Sequence, residues 1–459
     1  MDFNIFNIKE VGVCIALFVK TGRKSNNKTD NNVAVAHCVE NSGGHNNAEG
    51  HKGLQPLVVK NCSVYFHEIF GSQEFKRKYL TGKSIYSEKL IKLEDDKKWH
   101  WFTKVKSNEK YLKEFIGLTE IFNEINSAIQ TKRDYLTIQL SKNKILEVVN
   151  DFRNLSEEEI KNKYNTNDNR DWKVSTSKKD LLENNGHVEI IHYRPFDFRY
   201  TYYTGISRGF VAYPRKSIMR HIINRENIGL AFTRQNSGVD IFHHCLVSKF
   251  IIDGGITNSW TYIAPLYLYE ENSAGEFKLE SSCKPNWTDS FKEFLKNYIS
   301  DNPKEIFNYI YAILYSPTYR ENYKEDLKYD YPRIPFTKDK NIFDRLQKLG
   351  GELIDLHLLK KVPQSNAGYP NKGEHKISYS KYNEVEKRLY INEKQYFENV
   401  KKEVYDYSIG GYKPIEKYIK AREILTLKDI SHLIKVIAVI ERTILLQEEI
   451  DKVWREAYF

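Results

Sequence analysis

Hydrophobic and polar residues alternate strictly in one segment near the middle of the chain, Tyr193–Tyr203 (YRPFDFRYTYY). Because successive side chains of a β-strand point to opposite faces, this run predicts a strand whose aromatic residues pack in a core. The core-facing residues would be Phe196, Phe198, Tyr200 and Tyr202, with Pro195 at the first position of the strand. The opposite, accessible face would carry Asp197, Arg199, Thr201 and Tyr203. Such a face can contact a polyanion or a base edge.

Near the N-terminus, Val11–Lys20 (VGVCIALFVK) is almost continuously apolar and predicts a strand buried on both faces of a larger sheet. The polar stretch Lys24–Asn32 predicts a loop, and Val33–His37 a short strand. The apolar run Val11–Val19 is nine residues long, which is too short to span a bilayer. It also follows an acidic N-terminus, unlike a signal peptide, so we expect a cytoplasmic protein without membrane contact.

The pattern changes along the rest of the chain. Residues 187–270 predict a β-rich centre, whereas residues beyond 290 predict helices. Asn302-Pro303 is a helix-start signal for Lys304–Leu314. Ser316-Pro317 starts a second helix, whose inward face would carry Tyr319, Tyr323 and Leu327. Arg320 and Lys324 would lie on a separate face of that helix. A third helix is predicted over Phe343–Leu359, and a C-terminal one has an apolar stripe of Ile430, Ile434, Ile437, Ile440 and Ile444.

Composition adds a modest bias toward anionic partners, since the formal net charge is +10. The chain has 32 Tyr, 24 Phe and 6 Trp, which could stack on bases, although AT-rich coding explains such a composition more simply. The five cysteines form no C-x-x-C pair, which is typical of a reducing cytosol. The histidines and cysteines between His37 and His67, and His243-His244-Cys245, match no standard zinc spacing.

Several familiar catalytic motifs are absent, including the P-loop, a dinucleotide-type glycine-rich loop, G-x-S-x-G and a paired-His metal helix. What remains is a set of Arg, Gln and Tyr residues beside turns and strand ends. Arg suits bidentate contact with guanine or phosphate, and Gln suits adenine. Any one such Arg is more often a salt-bridged surface residue, so the prediction depends on the group. The candidate DNA-contacting residues are Gln130, Thr131, Arg133, Arg194, Arg199, Tyr203, Arg208, Arg215, Arg234, Gln235, Arg320, Tyr323 and Arg333.

Ten sequence blocks extend over nearly the whole chain, in the order NIFNIKEVGVCIALFVK, IFNEINSAIQTKRD, YRPFDFRYTYY, PRKSIMRHII, NIGLAFTRQ, PLYLY, IFNYIYAILYSPTYRENY, DYPRIPF, LGGELIDLHLL and YSIGGYKPIEKYIKAR. Taken in this order, they resemble the C-terminal part of the Type ISP restriction-modification enzymes and related adenine-specific N6 DNA methyltransferases. One departure is Ala128, where the family pattern leads us to expect Gly before the QT-x-RD turn.

This resemblance implies a mixed α+β fold. Residues 1–75 would be the trailing strands of a truncated, Rossmann-like methyltransferase domain, and 76–114 a helical linker. Residues 115–290 would form a target-recognition domain with a mixed β-sheet core, and 291–459 its helical C-terminal part. The region would grip double-stranded DNA and read a site whose adenine is methylated at N6.

The resemblance also implies what this chain lacks. The N-P-P-[YF] catalytic segment and the cofactor loop of the methyltransferase do not occur in it. We therefore expect the chain to bind no cofactor alone, and S-adenosylmethionine to serve the complete enzyme. A separately encoded methyltransferase or nuclease half is the expected partner, as in a split gene, unless the chain is a truncated remnant. Base extrusion and methyl transfer need a pocket that these residues do not supply.

Two alternatives stay open from the sequence. The chain could be a stand-alone metal-dependent DNA-processing enzyme, using carboxylates such as Asp197 and Asp253. Against this, the acidic residues show no metal-type spacing, and Asp197 is more readily the ion-pair partner of Arg194 or Arg199. The chain could also be a decayed, inactive fragment that is poorly soluble because a sheet edge is exposed.

Overall fold

The computed structural model describes residues 15–20, 33–37, 62–66, 73–82, 91–93, 108–235, 241–270 and 283–458. The chain divides into two compact units, residues 1–106 and 107–459. This division falls within the predicted linker 76–114. The predicted boundaries after residues 75, 114 and 290 stay predictions, and residues 115–290 and 291–459 share the second unit.

In its described residues, the first unit has four strands and one helix: β1 (Ile15–Lys20), β2 (Val33–His37), β3 (Cys62–Phe66), α1 (Gln73–Gly82) and β4 (Ile91–Leu93). The strand order is β2-β1-β3-β4, and every neighbouring pair is antiparallel. The predicted strands are confirmed at 15–20 and 33–37; residues 11–14, the loop 24–32 and the burial of β1 lie outside the described residues. A Rossmann-like sheet is mostly parallel, so this pairing alone does not identify one.

The second unit mixes short strands with helices, which confirms the α+β prediction. Its strands are β5 (Ile116–Gly117), β6 (Asn126–Ser127), β7 (His187–Arg194), β8 (Asp197–Tyr203), β9 (Gly229–Thr233), β10 (Cys245–Ser248), β11 (Ile251–Ile252), β12 (Thr261–Pro265), β13 (Tyr267–Tyr269), β14 (Cys283–Pro285), β15 (Arg333–Ile334), β16 (Lys381–Asn383), β17 (Arg388–Tyr390) and β18 (Tyr396–Phe397).

Its helices are α2 (Glu109–Glu114), α3 (Leu118–Ile121), α4 (Asp134–Thr137), α5 (Lys142–Asn154), α6 (Glu157–Lys163), α7 (Val174–Glu183), α8 (Lys216–Met219), α9 (Asp289–Leu295), α10 (Pro303–Tyr315), α11 (Pro317–Asn322), α12 (Lys324–Tyr329), α13 (Lys340–His357), α14 (Lys402–Asp406), α15 (Pro414–Lys420) and α16 (Leu427–Tyr458). The four predicted C-terminal helices correspond to α10, α11, α13 and α16. Asn302 and Ser316 cap the first two through their side chains, as the Asn-Pro and Ser-Pro signals predict.

Two small sheets form the β-rich centre of this unit. The antiparallel sheet β10-β9-β12-β6, called the central sheet below, has β9 in its interior, with all five β9 residues buried. That burial explains the uninterrupted apolar sequence GLAFT. The second sheet, β11-β7-β8, joins β11 to β7 in parallel and β7 to β8 as an antiparallel hairpin.

The hairpin turn corrects one prediction. Pro195 does not begin the strand; Pro195 and Phe196 form the two-residue turn between β7 and β8. Proline suits the first position of such a turn because its ring fixes φ. Phe196 follows with φ of +60°, which is unusual for an aromatic residue. Tertiary contacts hold it there: Phe196 is buried, and its carbonyl accepts a hydrogen bond from His432 Nε2 at 2.7 Å.

The predicted division of β8 into a core face and an accessible face is also wrong. Asp197, Thr201 and Tyr203 are buried, Arg199 is half-buried, and Phe198 and Tyr200 of the supposed core face are only half-buried. The physical reason is that both faces of the hairpin are covered. Helix α5 packs on β8 and places Arg153 against Tyr202, while the Tyr203 hydroxyl donates to the carbonyl of Pro214 at 3.0 Å. Alternation alone does not reveal covering from both sides.

Ion pairs fasten the hairpin to its surroundings. The Arg194 Nη1 lies 2.5 Å from Asp253 Oδ1, and its Nη2 lies 3.4 Å from Asp134 Oδ2. The Asp134 carboxylate also accepts hydrogen bonds from the hydroxyls of Thr131 and Tyr193. These contacts join the end of β7, the 131–134 turn and the loop that follows β11.

A second cluster lies on the other side of the turn. Asp197 accepts from Arg199 Nη2 at 2.7 Å and from Arg422 Nη2 at 3.0 Å, so the expected ion pair with Arg199 is present. Burial alone would raise the pKa of Asp197, but the two guanidinium groups of Arg422 and Arg199 hold it below its usual value. Arg422 also pairs with Asp429 at 3.1 Å, which ties β8 to the start of α16. The two sets of ion pairs are called the buried ion-pair network below.

Helices α10 and α13 approach each other closely at Gly350. A β-carbon on Gly350 would lie 1.9 Å from the backbone oxygen of Asn308, so no side chain fits between the two helices. The neighbouring Gly351 faces only the end of the Asn308 side chain, at 2.9 Å from Nδ2. The two glycines of LGGELIDLHLL therefore have different roles.

We expect Gly350→Ala to lower the free energy of unfolding by about 1–3 kcal/mol, because the helices must separate to admit the methyl group. Gly351→Ala is the matched control, since a flexible side chain can move aside and alanine favours the helix. Urea unfolding followed by circular dichroism measures both. Equal effects of the two substitutions would contradict the assignment of the close contact to Gly350.

We expect Asp197→Asn to destabilise the protein at pH 7 by about 3 kcal/mol, because it leaves two guanidinium groups without their buried counter-charge. The pKa of Asp197 is lower in the folded than in the unfolded protein. Its charge therefore stabilises the fold at every pH above the ordinary carboxyl pKa, and this stabilisation is lost as the pH falls through the folded pKa. The gap between wild type and variant in urea unfolding should therefore narrow on acidification below about pH 4.

The control is Asp289→Asn, whose carboxylate pairs with Lys292 but is 99% exposed. A screened surface pair contributes little, so this variant should unfold like the wild type. An Asp197→Asn variant as stable as the control at pH 7 would show that the buried pair does not hold the hairpin.

Candidate nucleic-acid interface

The structure places five of the thirteen candidate residues in the protein interior. Thr131, Arg194, Tyr203, Arg320 and Tyr323 are each at most 9% exposed. Thr131 and Arg194 belong to the buried ion-pair network, and Tyr203 is covered by the 204–215 loop. Tyr323 stacks on Tyr111 with ring centroids 4.8 Å apart. In this conformation none of the five offers its polar group to a ligand at the surface.

Arg320 departs most clearly from its predicted position on a helix face separate from the inward residues. Its side chain is buried, its Nε donates to the carbonyl of Leu314 at 2.6 Å, and its guanidinium lies 4.6 Å from the ring of Tyr315. Its Nη1 donates to Nδ1 of His243 at 3.0 Å. Burial, followed by the Arg320 charge, lowers the pKa of His243 to about 3, so this histidine is a neutral acceptor. Arg320 thus joins helix α11 to the 242–245 segment.

Three further candidates are half-buried and engaged with the protein. Arg133 donates to the carbonyls of Lys132 and Asn167 and lies 5.2 Å from the ring of Trp172. Arg199 pairs with Asp197. Arg333 donates to the carbonyl of Phe115 and pairs with Glu120 at 2.9 Å. These contacts give each of the three guanidinium groups a structural role.

The other five candidates lie at one end of the central sheet. Arg208, Arg234 and Gln235 are exposed, and Gln130 and Arg215 are half-buried. Gln130 exchanges both backbone hydrogen bonds with Tyr213, at 3.1 and 2.8 Å. Arg215 lies 5.2 Å from the Tyr213 ring, and the charge of Arg208 acts on the same phenol. Tyr213 is therefore the centre around which three of the candidates assemble.

Arg215 links this centre to a pair of aromatic rings at the central sheet, because its charge acts on Tyr213 and on Tyr262. The charge of Arg215 acts on Tyr262, whose ring meets Tyr331 edge-on at a centroid distance of 5.2 Å. Arg234 lies 5.9 Å from the Tyr331 ring and 3.5 Å from Asp330. The resulting line of side chains is called the Arg-Tyr row below, and it consists of Arg208, Tyr213, Arg215, Tyr262, Tyr331 and Arg234.

The Arg-Tyr row has donor groups available for an anionic ligand. The Arg234 side chain is 56% exposed, and its weak pair with Asp330 leaves most of its donors open to solvent. The Nε of Arg215 is buried without a hydrogen-bond partner among the described residues. Burial lowers the pKa of Arg215 below its usual value, yet an arginine remains charged at neutral pH. The phenol rings support the guanidinium planes, as cation–π contacts do.

Two further loops frame the row. On one side, Asp171 accepts from the Tyr213 hydroxyl at 3.0 Å and pairs with Arg170 at 3.1 Å and Lys132 at 3.8 Å. On the other, the backbone amide of Gly254 donates to the carbonyl of Ile129 at 2.6 Å, which brings the 253–260 loop beside Gln130. The row thus lies among rigid loops at a sheet end, which is a usual place for binding residues.

Sequence reasoning found the arginines of this surface but missed its aromatic members, Tyr213, Tyr262 and Tyr331. Tyr213 and Tyr331 stand in SRGFVAYPR and DYPRIPF, beside arginines that were selected. A signal was therefore present in the tyrosines next to loop arginines. It could not be separated from the general abundance of tyrosine in the chain.

The carboxylates proposed for a nuclease are engaged elsewhere. Both oxygens of Asp197 accept from arginines. Asp253 is fully buried, and burial raises its pKa to about 6 against the opposing charge of Arg194. Across the part of the chain that the structure describes, no three His, Cys, Asp or Glu residues gather as metal ligands would. These observations argue against a metal site at Asp197 or Asp253.

A cleft of about 1520 Å³ opens at the opposite end of the central sheet. It includes Asn227 and Ile228, which precede β9, and Leu266, which follows β12. Five lysines line it, namely Lys249, Lys304, Lys348, Lys360 and Lys361. Helices α10 and α13 supply one wall, so the cleft is separate from the Arg-Tyr row.

Among the described residues, no helix has the length and apolarity needed to cross a bilayer.

Comparison with solved structures shows the fold. The chain is similar to a nuclease-deletion mutant of the Type ISP restriction-modification enzyme LlaGI in complex with a DNA substrate mimic, with a TM-score of 0.59, 21% identity and 85% of this chain covered. The chain is also similar to the ATP-dependent Type ISP restriction-modification enzyme LlaBIII bound to DNA, with a TM-score of 0.61, 19% identity and 79% of this chain covered. For the DrdV–DNA complex, the TM-score is 0.60, the identity 17% and the covered share of this chain 85%. The chain spans 39%, 25% and 43% of those three chains, respectively.

Among curated proteins, none matches this chain. The sequence does match the family described as the Type ISP C-terminal specificity domain, over residues 120–448. That match covers more than two thirds of the chain and includes the central sheet, the buried ion-pair network and the whole Arg-Tyr row. The chain therefore belongs to the family of Type ISP C-terminal specificity domains.

Proposed function

We propose that this chain recognises a target sequence in double-stranded DNA on behalf of a Type ISP restriction-modification system, and that the Arg-Tyr row is its DNA-facing surface. The observation that carries the proposal is the row itself: charged and phenolic groups lie together at one end of the central sheet in a member of this family. The three similar solved structures contain DNA or a DNA mimic.

Within this surface we assign different contacts to different residues. Arg234 and Gln235 follow the end of β9 and are exposed, so they suit contact with base edges, where Arg pairs with guanine and Gln with adenine. Arg208 and Lys132 on flanking loops, and Lys216 at the start of α8, are also exposed, so they suit phosphate contacts that set the register. Gln130 and Arg215 both lie beside Tyr213.

Preorganisation supports this role. The turns that carry Gln130 and the 253–260 loop are tied to the hairpin through Arg194, Asp134 and Asp253. Loops that are already ordered lose little conformational entropy when they bind. The buried arginines would then assist DNA binding indirectly, because they hold the loops that carry the exposed ones.

The methyltransferase half is part of the same proposal. We propose that residues 1–75 contribute trailing strands to a Rossmann-like methyltransferase domain, and that a separately encoded chain in the cytoplasm supplies the N-P-P-[YF] segment and binds S-adenosylmethionine. The edge of the antiparallel sheet β2-β1-β3-β4 offers a place for further strands. The chain alone would then bind DNA but transfer no methyl group.

We expect Arg234→Ala to reduce the preference for a selected target duplex over random duplex about tenfold or more, because one bidentate base contact contributes about 1–3 kcal/mol of discrimination. Fluorescence anisotropy with both duplexes, over a series of salt concentrations, measures the preference.

Arg388→Ala is the matched control, since Arg388 also lies over a tyrosine ring, 4.3 Å from Tyr396, but in the separate sheet β16-β17-β18. It should leave the preference unchanged. Equal loss of affinity for both duplexes in Arg234→Ala would reassign this residue to phosphate contact. Failure of the wild-type chain to bind any duplex would contradict the proposed function.

We expect the DNA immediately upstream of this coding sequence to encode an N-P-P-[YF] segment. The protein encoded there should methylate adenine N6 in target duplex only when it is mixed with this chain. Incorporation of labelled methyl groups from S-adenosylmethionine measures the reaction. The upstream protein alone and this chain alone are the controls. Methylation by this chain alone would refute the division of labour.

A further inference from the structure

Trp260 is the exposed tryptophan on this surface, with 53% of its area accessible. The other tryptophans among the described residues, Trp172, Trp287 and Trp454, are at most 4% exposed. Within the described part of the chain, the Trp260 indole has no ring contact, hydrogen bond or cation partner. A large apolar side chain left outside the core is a feature that binding surfaces use.

The loop that carries Trp260 is firmly held, so the exposure is not that of a loose segment. Ile256 and Thr257 are fully buried, and the Thr261 amide donates to the carbonyl of Gly254 at 3.1 Å. The amide of Gly411 donates to the carbonyl of Thr257 at 3.0 Å, which joins the loop to the 409–412 turn. The loop therefore presents Trp260 in a fixed position.

The 409–412 turn packs directly against the 253–260 loop and restricts its movement. Gly410 has φ of +58°, and a β-carbon there would lie 2.0 Å from the carbonyl oxygen of Thr257. The two backbones are thus in direct contact. Asn258, with φ of +64°, is the other exposed residue of the loop.

Trp260 stands beside the Arg-Tyr row. In the central sheet, Thr261 pairs with Thr233, and the residues next to this pair are Trp260 and Arg234. By the alternation of β12, Trp260 also extends the face that carries Tyr262, a member of the row. The indole and the Arg234 guanidinium therefore leave the same end of the same sheet.

We infer that Trp260 is a DNA-contacting residue that inserts at a base step of the target duplex and stacks on a base beside the contact made by Arg234. This inference rests on the proposed function and adds a residue and a mode of contact to it. Apolar side chains that enter between base pairs unstack and kink the step, and aromatic side chains stack on the exposed base. Such a step is read through its deformability, which favours easily unstacked pyrimidine–purine steps.

The surroundings favour DNA over a protein partner at this position. Two arginines of the row, Arg234 and Arg215, have guanidinium groups that lie beside phenol rings and that, among the described residues, lack a strong carboxylate partner. An indole in a cationic, phenol-rich surrounding matches the combination of stacking and charge found on nucleic-acid surfaces.

The test uses the full chain and a duplex selected by it from a random-sequence pool, with 2-aminopurine placed at each position of the site in turn. For the wild type we expect binding to raise the fluorescence at one step, because that base loses its neighbour. Trp260→Ala should abolish this rise and weaken binding to the selected duplex five- to fiftyfold. Trp260→Phe keeps an aromatic ring and should retain most of both effects.

Tyr379→Ala is the matched control, because Tyr379 is 39% exposed and lies away from the row, beside the sheet β16-β17-β18. It should bind and unstack like the wild type. Circular dichroism of each variant confirms folding, and Trp260→Ser replaces Trp260→Ala if the alanine variant does not fold.

Three results would overturn the inference. One is wild-type binding with no unstacked position. Another is a complex of Trp260→Ala, or of Trp260→Ser where the alanine variant does not fold, that keeps the wild-type affinity and the wild-type fluorescence rise. The third is self-association of the wild type, seen in sedimentation without DNA and lost in the Trp260 variants, which would assign the indole to a protein contact. In each case selective duplex binding would leave the proposed function intact, whereas absence of duplex binding would refute that function itself.

Discussion

The pairing of buried arginines with buried and half-buried carboxylates determines how this specificity domain presents its surface. Arg194 lies between Asp253 and Asp134, and Arg422 joins Asp197 to Asp429. Charges removed from water are costly unless they are paired and hydrogen-bonded, so each pair fixes the segments that contribute to it. Together they hold the β7–β8 hairpin, the 131–134 turn, the 253–260 loop and the start of α16 in one arrangement.

Once these segments are fixed, the positions of the exposed side chains that they carry are fixed as well. Where the structure describes the loops around the Arg-Tyr row, four non-glycine residues have positive φ, namely Lys132, Arg208, Arg215 and Asn258. Such backbone conformations persist only where the surrounding structure holds them, and they concentrate at binding sites. One set of arginines thus stabilises the framework, and a second set, on strained loops, is directed to solvent.

The sequence predicted the elements better than the environment of their side chains. Cap residues and apolar stripes located α10, α11, α13 and α16, because these signals depend on neighbours within one helix. The alternation of the central run correctly predicted β8 but assigned the wrong exposure, because α5 and the 204–215 loop cover it from both sides. Arg320 and Arg234 look alike in sequence, yet one is buried against His243 and the other is exposed. Only the packing of distant segments separates them.

The central claim is that DNA meets the end of the central sheet that carries the Arg-Tyr row, and not the lysine-lined cleft at its other end. Hydrogen–deuterium exchange of the full chain, with and without selected duplex, tests this most directly, since amides in a contacted or stiffened loop exchange more slowly. We predict protection in residues 130–135, 206–217, 233–235 and 254–261, with none in 303–315 or 348–361. Protection confined to 303–315 and 348–361, with the four loop segments unchanged, would contradict the account.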